Sequence, residues 1–114
     1  MNKMELDLSQ FTGTSQYYKG WCNVDYTDGV FYLTENGMSW FVTDVCSVVK
    51  VSELKNQEFV SVELKVNADN SADAIYTDGN GVVLYKQHYD HCDGQNVTLF
   101  FTKCYNILML NREY

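Results

Sequence analysis

The sequence predicts an α+β domain in which amino-terminal helices pack on a three- to four-stranded antiparallel meander sheet. Three observations carry this prediction. Apolar residues recur at helical spacing up to Val49. From Glu58 the pattern becomes strict alternation, with Val60, Val62, Leu64 and Val66 on one side and Ser61, Glu63, Lys65 and Asn67 on the other. Asp78-Gly79-Asn80-Gly81 then forms the strongest hairpin signal, because these residues tolerate the positive φ that tight turns need. With 114 residues, 46% hydrophobic, the chain is long enough for one domain with a core of its own. It divides into a helical part, 8–50, and a strand-rich part, 57–114.

Taken in order, Thr12-Gly13-Thr14 offers hydroxyl caps to a first short helix carrying Tyr17, Tyr18, Trp21 and Cys22 on one aromatic face. Thr27-Asp28-Gly29 opens a second helix, for which Val30, Phe31, Tyr32 and Leu33 supply the apolar side and Asn36-Gly37 the stop. Ser39 caps a third, where Phe41, Val42, Val45, Cys46, Val48 and Val49 oppose Thr43, Asp44 and Ser47. Its β-branched content works against a helix, and the period decides for one. The strand that begins near Glu58 ends in a turn at 68–71. A second strand spans 72–77, and a third runs from Val82 to Tyr89 after the hairpin. In the final segment Leu99, Phe100, Lys103, Cys104 and Ile107 suit a helix, while 98–101 and 107–110 also suit strands; the reading adopted is a short helix followed by a strand. Tyr-Thr-Asp-Gly occurs at Tyr26 to Gly29 and again at Tyr76 to Gly79, as a reuse of turn chemistry.

Charge and composition exclude several functions. With 15 acidic against 8 basic residues the net charge is -7, which repels nucleic acid, since phosphate binding relies on Lys and Arg displacing counterions. Apolar runs such as 106–110 fall far short of the roughly 20 residues a membrane helix needs. The first residues lack the apolar core of a secretion signal, so a cytoplasmic protein is expected. In a reducing cytosol Cys22, Cys46, Cys92 and Cys104, none of them in a CxxC pair, are expected to be free thiols used in packing. The acceptor pattern Asn96-Val97-Thr98 then carries no meaning.

One dense cluster contains groups able to bind metal or move protons: His88-Tyr89-Asp90-His91-Cys92-Asp93. On an extended strand the two histidines point to opposite faces, and a full ligand set would need Cys104 or a distant aspartate, so no metal and no cofactor are expected. Neither Cys22 nor Cys46 lies on the glycine-flanked turn or helix start that activates a nucleophile, although either could meet His88 in space. Phosphate-loop and dinucleotide motifs are lacking. The expectation is a non-enzymatic protein with no catalytic residue.

Nine tyrosines and two tryptophans exceed the needs of a small core. Tyr17, Tyr18, Tyr26, Tyr32, Tyr85 and Tyr89, interspersed with acids, suit a surface for a partner that carries arginine. The plainer reading buries each ring and leaves its hydroxyl at the rim.

The run Leu8-Ser9-Gln10-Phe11-Thr12-Gly13-Thr14, then Tyr17-Tyr18, Trp21, Tyr26-Thr27-Asp28-Gly29-Val30, Tyr32-Leu33, Glu35, Gly37, Trp40 and Asp44, resembles a family of small bacterial and phage proteins known only as a domain of unknown function. The resemblance continues through Leu108-Met109-Leu110 to Glu113-Tyr114. It implies no activity, and it does imply a phage or mobile-element setting. With the charge, it leads to the expectation of a small acidic inhibitor of a host defence effector, in the manner of the inhibitors of CRISPR nucleases. Such a protein would occupy the basic channel of an RNA-guided nuclease. The contacts expected are Asp69, Asp73, Asp78, Asp90 and Asp93, with Tyr76 and Tyr89 as flat anchors. The alternative is a structural or regulatory protein-binding module. Surplus aromatics and an uncovered sheet edge favour a homodimer.

Overall fold

Alternating burial along extended segments builds the molecule around a sheet, and the computed structural model describes residues 7–51, 53–92 and 94–114. In chain order come β1 (Tyr18–Lys19), a 3-10 turn (Trp21–Asn23), β2 (Asp25–Tyr26), α1 (Asp28–Glu35), α2 (Ser39–Val51), a second 3-10 turn (Glu53–Asn56), β3 (Phe59–Val66), β4 (Ala72–Thr77), β5 (Val83–Tyr89), β6 (Val97–Thr102), β7 (Ile107–Leu110) and a closing 3-10 turn (Asn111–Glu113). The strands join in one sheet ordered β1-β2-β7-β6-β3-β4-β5. It is mixed, because β2 runs parallel to β7.

This architecture corrects the expected three- to four-stranded meander with helices at its amino terminus. The sheet has seven strands, and among the described residues two α-helices lie mid-chain, between β2 and β3. The β3-β4-β5 meander exists within it, but β3 also pairs with β6 on its other side and so is central. Two segments account for the difference. Residues Tyr17 to Cys22 form no α-helix: Tyr18 pairs with Tyr26 and Lys19 with Asp25 in a tight hairpin around the 3-10 turn. Cys22 and Asn23 adopt left-handed φ values of 57° and 62° that end any helical run. Gly20 is required there, because a Cβ would lie 2.2 Å from the Tyr26 ring. The second segment, read as a short helix, is strand β6. Its Val97, Leu99 and Phe101 are buried, and its backbone is paired to both β3 and β7. Burial at period two wins over a helical spacing that ends in the exposed turn Lys103 to Tyr105.

The helices α1 and α2 form where the sequence predicts. The Thr27 hydroxyl caps α1 by accepting from the Val30 N–H, and Gly37, at φ 93°, follows its end. Ser39 is the first residue of α2 rather than its cap. Val30, Leu33, Phe41, Val42, Val45, Cys46 and Val49 of the helices share one core with Val60, Val62, Leu64, Ala72, Ala74, Tyr76, Leu99, Phe101, Leu108 and Leu110 of the strands. The two parts of the chain therefore fold around a common interior. Of the cysteines, Cys46 and Cys92 are buried in packing as expected and Cys22 is half-buried, whereas Cys104 is exposed, and all four are free. None of the described helices is long and apolar enough to cross a membrane.

The carboxylate of Glu113 closes the fold. It accepts the Thr27 hydroxyl at 2.6 Å, the Gly29 N–H at 3.1 Å and the Leu110 N–H at 2.9 Å, so the last residues bind the first turn of α1. Tyr76, by contrast, is fully buried and its hydroxyl has no hydrogen-bond partner among the described residues.

Two stability measurements check this account. In urea unfolding, E113A should lose about 1–3 kcal/mol, because three donors lose a partly buried charged acceptor. A substitution at exposed Glu63 should change stability by less than about 0.5 kcal/mol. Y76F should be neutral or stabilising by up to about 1 kcal/mol, because it removes a buried hydroxyl that gains nothing on folding. A clear loss in Y76F would mean that the hydroxyl is satisfied.

Candidate functional site

Two turns and two strand ends bring the acidic residues of one sheet end together. The turn between β3 and β4 is built by its own polar side chains. Asp69 accepts both the N–H (3.0 Å) and the hydroxyl (2.6 Å) of Ser71, Asn70 takes the left-handed φ of 68°, and the Asn67 amide donates to the Ser71 hydroxyl at 2.9 Å. Asp73 follows on β4 and stands opposite His88 on β5. The His88 ring nitrogen Nδ1 and Asp73 Oδ1 are 2.7 Å apart, and Asn67 donates to Asp73 Oδ2 at 3.2 Å. Asp90, whose side chain is fully exposed, lies 3.5 Å from the other ring nitrogen. His88 is thus bracketed by two carboxylates, with Asp69 close enough to act on its charge.

The electrostatics follow from these contacts. The hydrogen bond to Asp73, then the charges of Asp73, Asp90 and Asp69, raise the pKa of His88 above its ordinary value. Asp73 is held below the usual carboxylate range by His88 first and Asn67 second, and Asp69 is held down by the Ser71 hydroxyl. Lys65, which faces Asp73 in register and contacts Glu63 at 3.2 Å, and Lys86 offset part of the negative charge.

The expected contact residues are therefore brought together only in part. Asp69, Asp73 and Asp90 share one end of the sheet. Asp78 lies in the β4–β5 turn at the opposite end, where its carboxylate accepts the N–H groups of Asn80 and Val82. It lies five positions along the chain from Asp73, about 17 Å. Tyr76 is inside the core and cannot be a surface anchor. Tyr89 is half-buried: its ring packs edge-on against Trp40 at 5.2 Å, and its hydroxyl donates to Asp44 at 2.8 Å. Burial and that carboxylate push the Tyr89 hydroxyl far above its ordinary pKa. Asp93 lies outside the described residues. Among the tyrosines expected at the surface, Tyr17 is exposed, Tyr18, Tyr32 and Tyr85 are half-buried, and Tyr26 is buried, its hydroxyl pushed up to about 12 by desolvation.

The metal and catalytic alternatives are placed as follows. Cys92 is buried, its sulfur accepting the Gly94 N–H at 3.3 Å, while His91 is exposed. Among the described residues no three of His, Cys, Asp and Glu gather in a metal-holding group. Cys46 is buried against the Tyr26 hydroxyl, 3.7 Å away, and desolvation raises its thiol to about 11, the opposite of an activated nucleophile. One open groove, of about 410 Å³, lies elsewhere, between Leu8, Asn96, Thr98 and Arg112.

His88 is the residue that joins the cluster, and the reading of the sequence assigned it no contact role. No local signal marks it, because the contact depends on a register shift between β4 and β5.

The His88–Asp73 pair makes a pH prediction. The raised His88 pKa contributes stability that is fully present below the unfolded value of 6.5 and is lost as pH rises through the higher folded value. The lowered Asp73 pKa contributes above 3.8 and is lost as pH falls through the lower folded value. Their joint effect is therefore largest between about pH 4 and 6.5. NMR titration of D73N should show the His88 pKa falling from its wild-type value, and the stability difference between D73N and wild type should narrow at neutral pH and above. An unchanged His88 titration would refute the pairing.

No curated protein and no solved structure matches the chain. Residues 2–114, nearly its whole length, match a family of unknown function: the chain belongs to that family, DUF6876.

Proposed function

We propose that the protein is a non-enzymatic binding module that presents Asp69, Asp73 and Asp90 to a basic surface of another protein. The observation that carries the reading is the sheet end itself. There two carboxylates are fixed by hydrogen bonds and a third is fully exposed, on a chain of net charge -7. Fixed carboxylates are suited to recognition because little side-chain freedom is lost when a lysine or arginine docks on them. Long-range attraction raises the rate of encounter with such a partner.

The partner chemistry that fits best is a channel built to hold nucleic acid, where Lys and Arg are concentrated and carboxylates can compete with phosphate. In a phage or mobile-element setting that partner is an RNA-guided nuclease in the host cytoplasm, and the module acts as its inhibitor. Asp78, at the far end of the sheet, and the buried Tyr76 are not part of this contact.

The test uses a purified RNA-guided nuclease loaded with its guide, and reads both target cleavage and binding of the protein at low and physiological salt. Binding should weaken as salt rises, and D69N/D73N/D90N should weaken it about tenfold or more. Unaltered binding by that variant, or binding insensitive to salt, would overturn the acidic contact. Salt-sensitive binding without any effect on cleavage would instead assign a structural or regulatory module.

A further inference from the structure

The sheet ends on one side in the two-residue strand β1 and on the other in β5, which is seven residues long and paired along one edge only. The ladder shows where the free backbone groups of β5 point. The Asn67 N–H donates to the Ser71 carbonyl between β3 and β4, and the Asp78 N–H to the Val82 carbonyl between β4 and β5. Along an antiparallel strand such bonds alternate between the two neighbours. Ala72, Ala74 and Tyr76 therefore bond to Tyr89, Gln87 and Tyr85, and the N–H and C=O groups of Lys86 and His88 point off the sheet. The side chains beside this edge differ between the two faces. Ala72, Ala74 and Tyr76 are buried beneath the helices, but Tyr85, Gln87 and Tyr89 are half-buried, so the helical layer stops short of the edge. Trp40 and Asp44, one turn apart on α2, flank the shelf that results: the Trp40 ring meets that of Tyr89 at 5.2 Å, and Asp44 Oδ2 accepts the Tyr89 hydroxyl. These shelf residues include a carboxylate and three aromatic rings and no lysine or arginine, whereas the opposite face of β5 exposes Lys86 and His88.

We propose that β5 takes an added antiparallel strand from another protein, an extended segment in which arginines alternate with acidic or neutral residues. Register and charge select this occupant. Residues of such a segment opposite Tyr85, Gln87 and Tyr89 project onto the shelf, and those opposite Lys86 and His88 project onto the other face. Arginine suits the shelf, because its planar guanidinium pairs with a carboxylate and stacks on aromatic rings. An acidic or neutral residue suits the place beside Lys86, where a cation would be repelled. Main-chain bonds to Lys86 and His88 then supply affinity, and the shelf supplies specificity. The net charge of -7 speeds the encounter with a basic segment. A second copy fits this edge less well. Its own β5, paired about Gln87, would set Lys86 against His88 of the other copy and bring no cation to Asp44. The site is separate from the contact made by Asp69, Asp73 and Asp90, so the inference stands or falls independently of that reading.

Fluorescence anisotropy of the labelled peptide Thr-Arg-Thr-Arg-Thr-Arg-Thr, titrated with the intact protein, tests the proposal. Wild type should bind it about tenfold or more tightly than a peptide of the same composition with its arginines in one block, and hydrogen exchange at the Lys86 and His88 amides should slow on binding. K86P removes an outward N–H and leaves the bonds to β4 in place, since an edge strand tolerates proline where its N–H faces solvent; it should abolish binding, and K86T, which loses the same charge, should not. N-methylation of the peptide's inner threonines, whose N–H groups would face β5, should abolish binding, and N-methylation of its arginines should spare it, whether or not K86P folds. D44N should weaken binding about fivefold or more, and D69N/D73N/D90N less than about threefold. Equal binding by the block peptide, by the threonine-methylated peptide or by a folded K86P would overturn the proposal. So would a loss confined to D69N/D73N/D90N, which would move the peptide to the acidic sheet end. A dimer of the protein alone in sedimentation velocity, lost in K86P, would overturn it in favour of a second copy.

Discussion

The parallel pairing of β2 with β7 is the constraint on which the rest of the molecule depends. Asp25 and Tyr26 lie beside Ile107 and Leu108, and this short contact places the amino-terminal hairpin, the start of α1 and the end of the chain at one point. Glu113 locks it from one side through Thr27, Gly29 and Leu110. Asn106 locks it from the other: its carbonyl accepts the Asp25 N–H at 2.9 Å, its side-chain amide donates to the Asn23 carbonyl, and its side-chain oxygen accepts from Lys50 at 2.7 Å. Gly29 belongs to the same joint, since a Cβ there would lie 2.4 Å from Leu110. Tyr26-Thr27-Asp28-Gly29 in the first part of the chain and Leu108-Met109-Leu110 with Glu113 in its last part therefore meet in space. Together these residues build a structural joint.

That joint also shows why part of the fold was legible in the sequence and part was not. Helices α1 and α2, strands β3, β4 and β5, and the turns between those strands follow from local signals: a threonine cap, a glycine stop, alternation, and an Asp-Gly-Asn-Gly turn. The amino-terminal hairpin does not, because its pairing is with Leu108 and Ile107, more than eighty residues away, and its aromatic spacing imitates a helix face. Tyr18 in fact stacks on Phe31 at 4.0 Å and covers α1 from outside. β6 was hidden for a related reason: a strand flanked on both sides is recognised by neighbours that a single segment does not contain.

The acidic cluster was half legible. The carboxylates at 69, 73 and 90 are visible as residues near turns, but the contact between Asp73 and His88 depends on a register shift. Counted from the hairpin turn, Thr77 faces Val83, and regular pairing would then set Asp73 opposite Gln87. The bulge shifts the register by one, so that Tyr76 faces Tyr85 and Asp73 faces His88. One extra residue in β5 thus decides which side chain the carboxylate meets. Tyr76 was misread for a different reason. Its position in β4 alternates inward, and burial of the ring outweighs the cost of its unpartnered hydroxyl.

Net charge overstates what a partner can meet, because many of the acids have internal work. In a chain without proline, turns are held by side chains: Asp7 accepts from Ser9, Asp69 from Ser71, and Asp78 from Asn80. Asp28 binds Ser15, Asp44 binds Tyr89, and Glu113 binds the start of α1. Reversing the charge of such residues changes folding as well as binding, so a lost interaction would not by itself locate a contact surface. Asp90 differs, since its side chain is fully exposed and its contact with His88, at 3.5 Å, is the longer of the two made by that ring. An exposed pair of that kind contributes little to stability. The effect of Asp90 on a partner can therefore be read almost free of its effect on the fold, which makes it the residue where acidity as a structural device and acidity as a recognition signal separate.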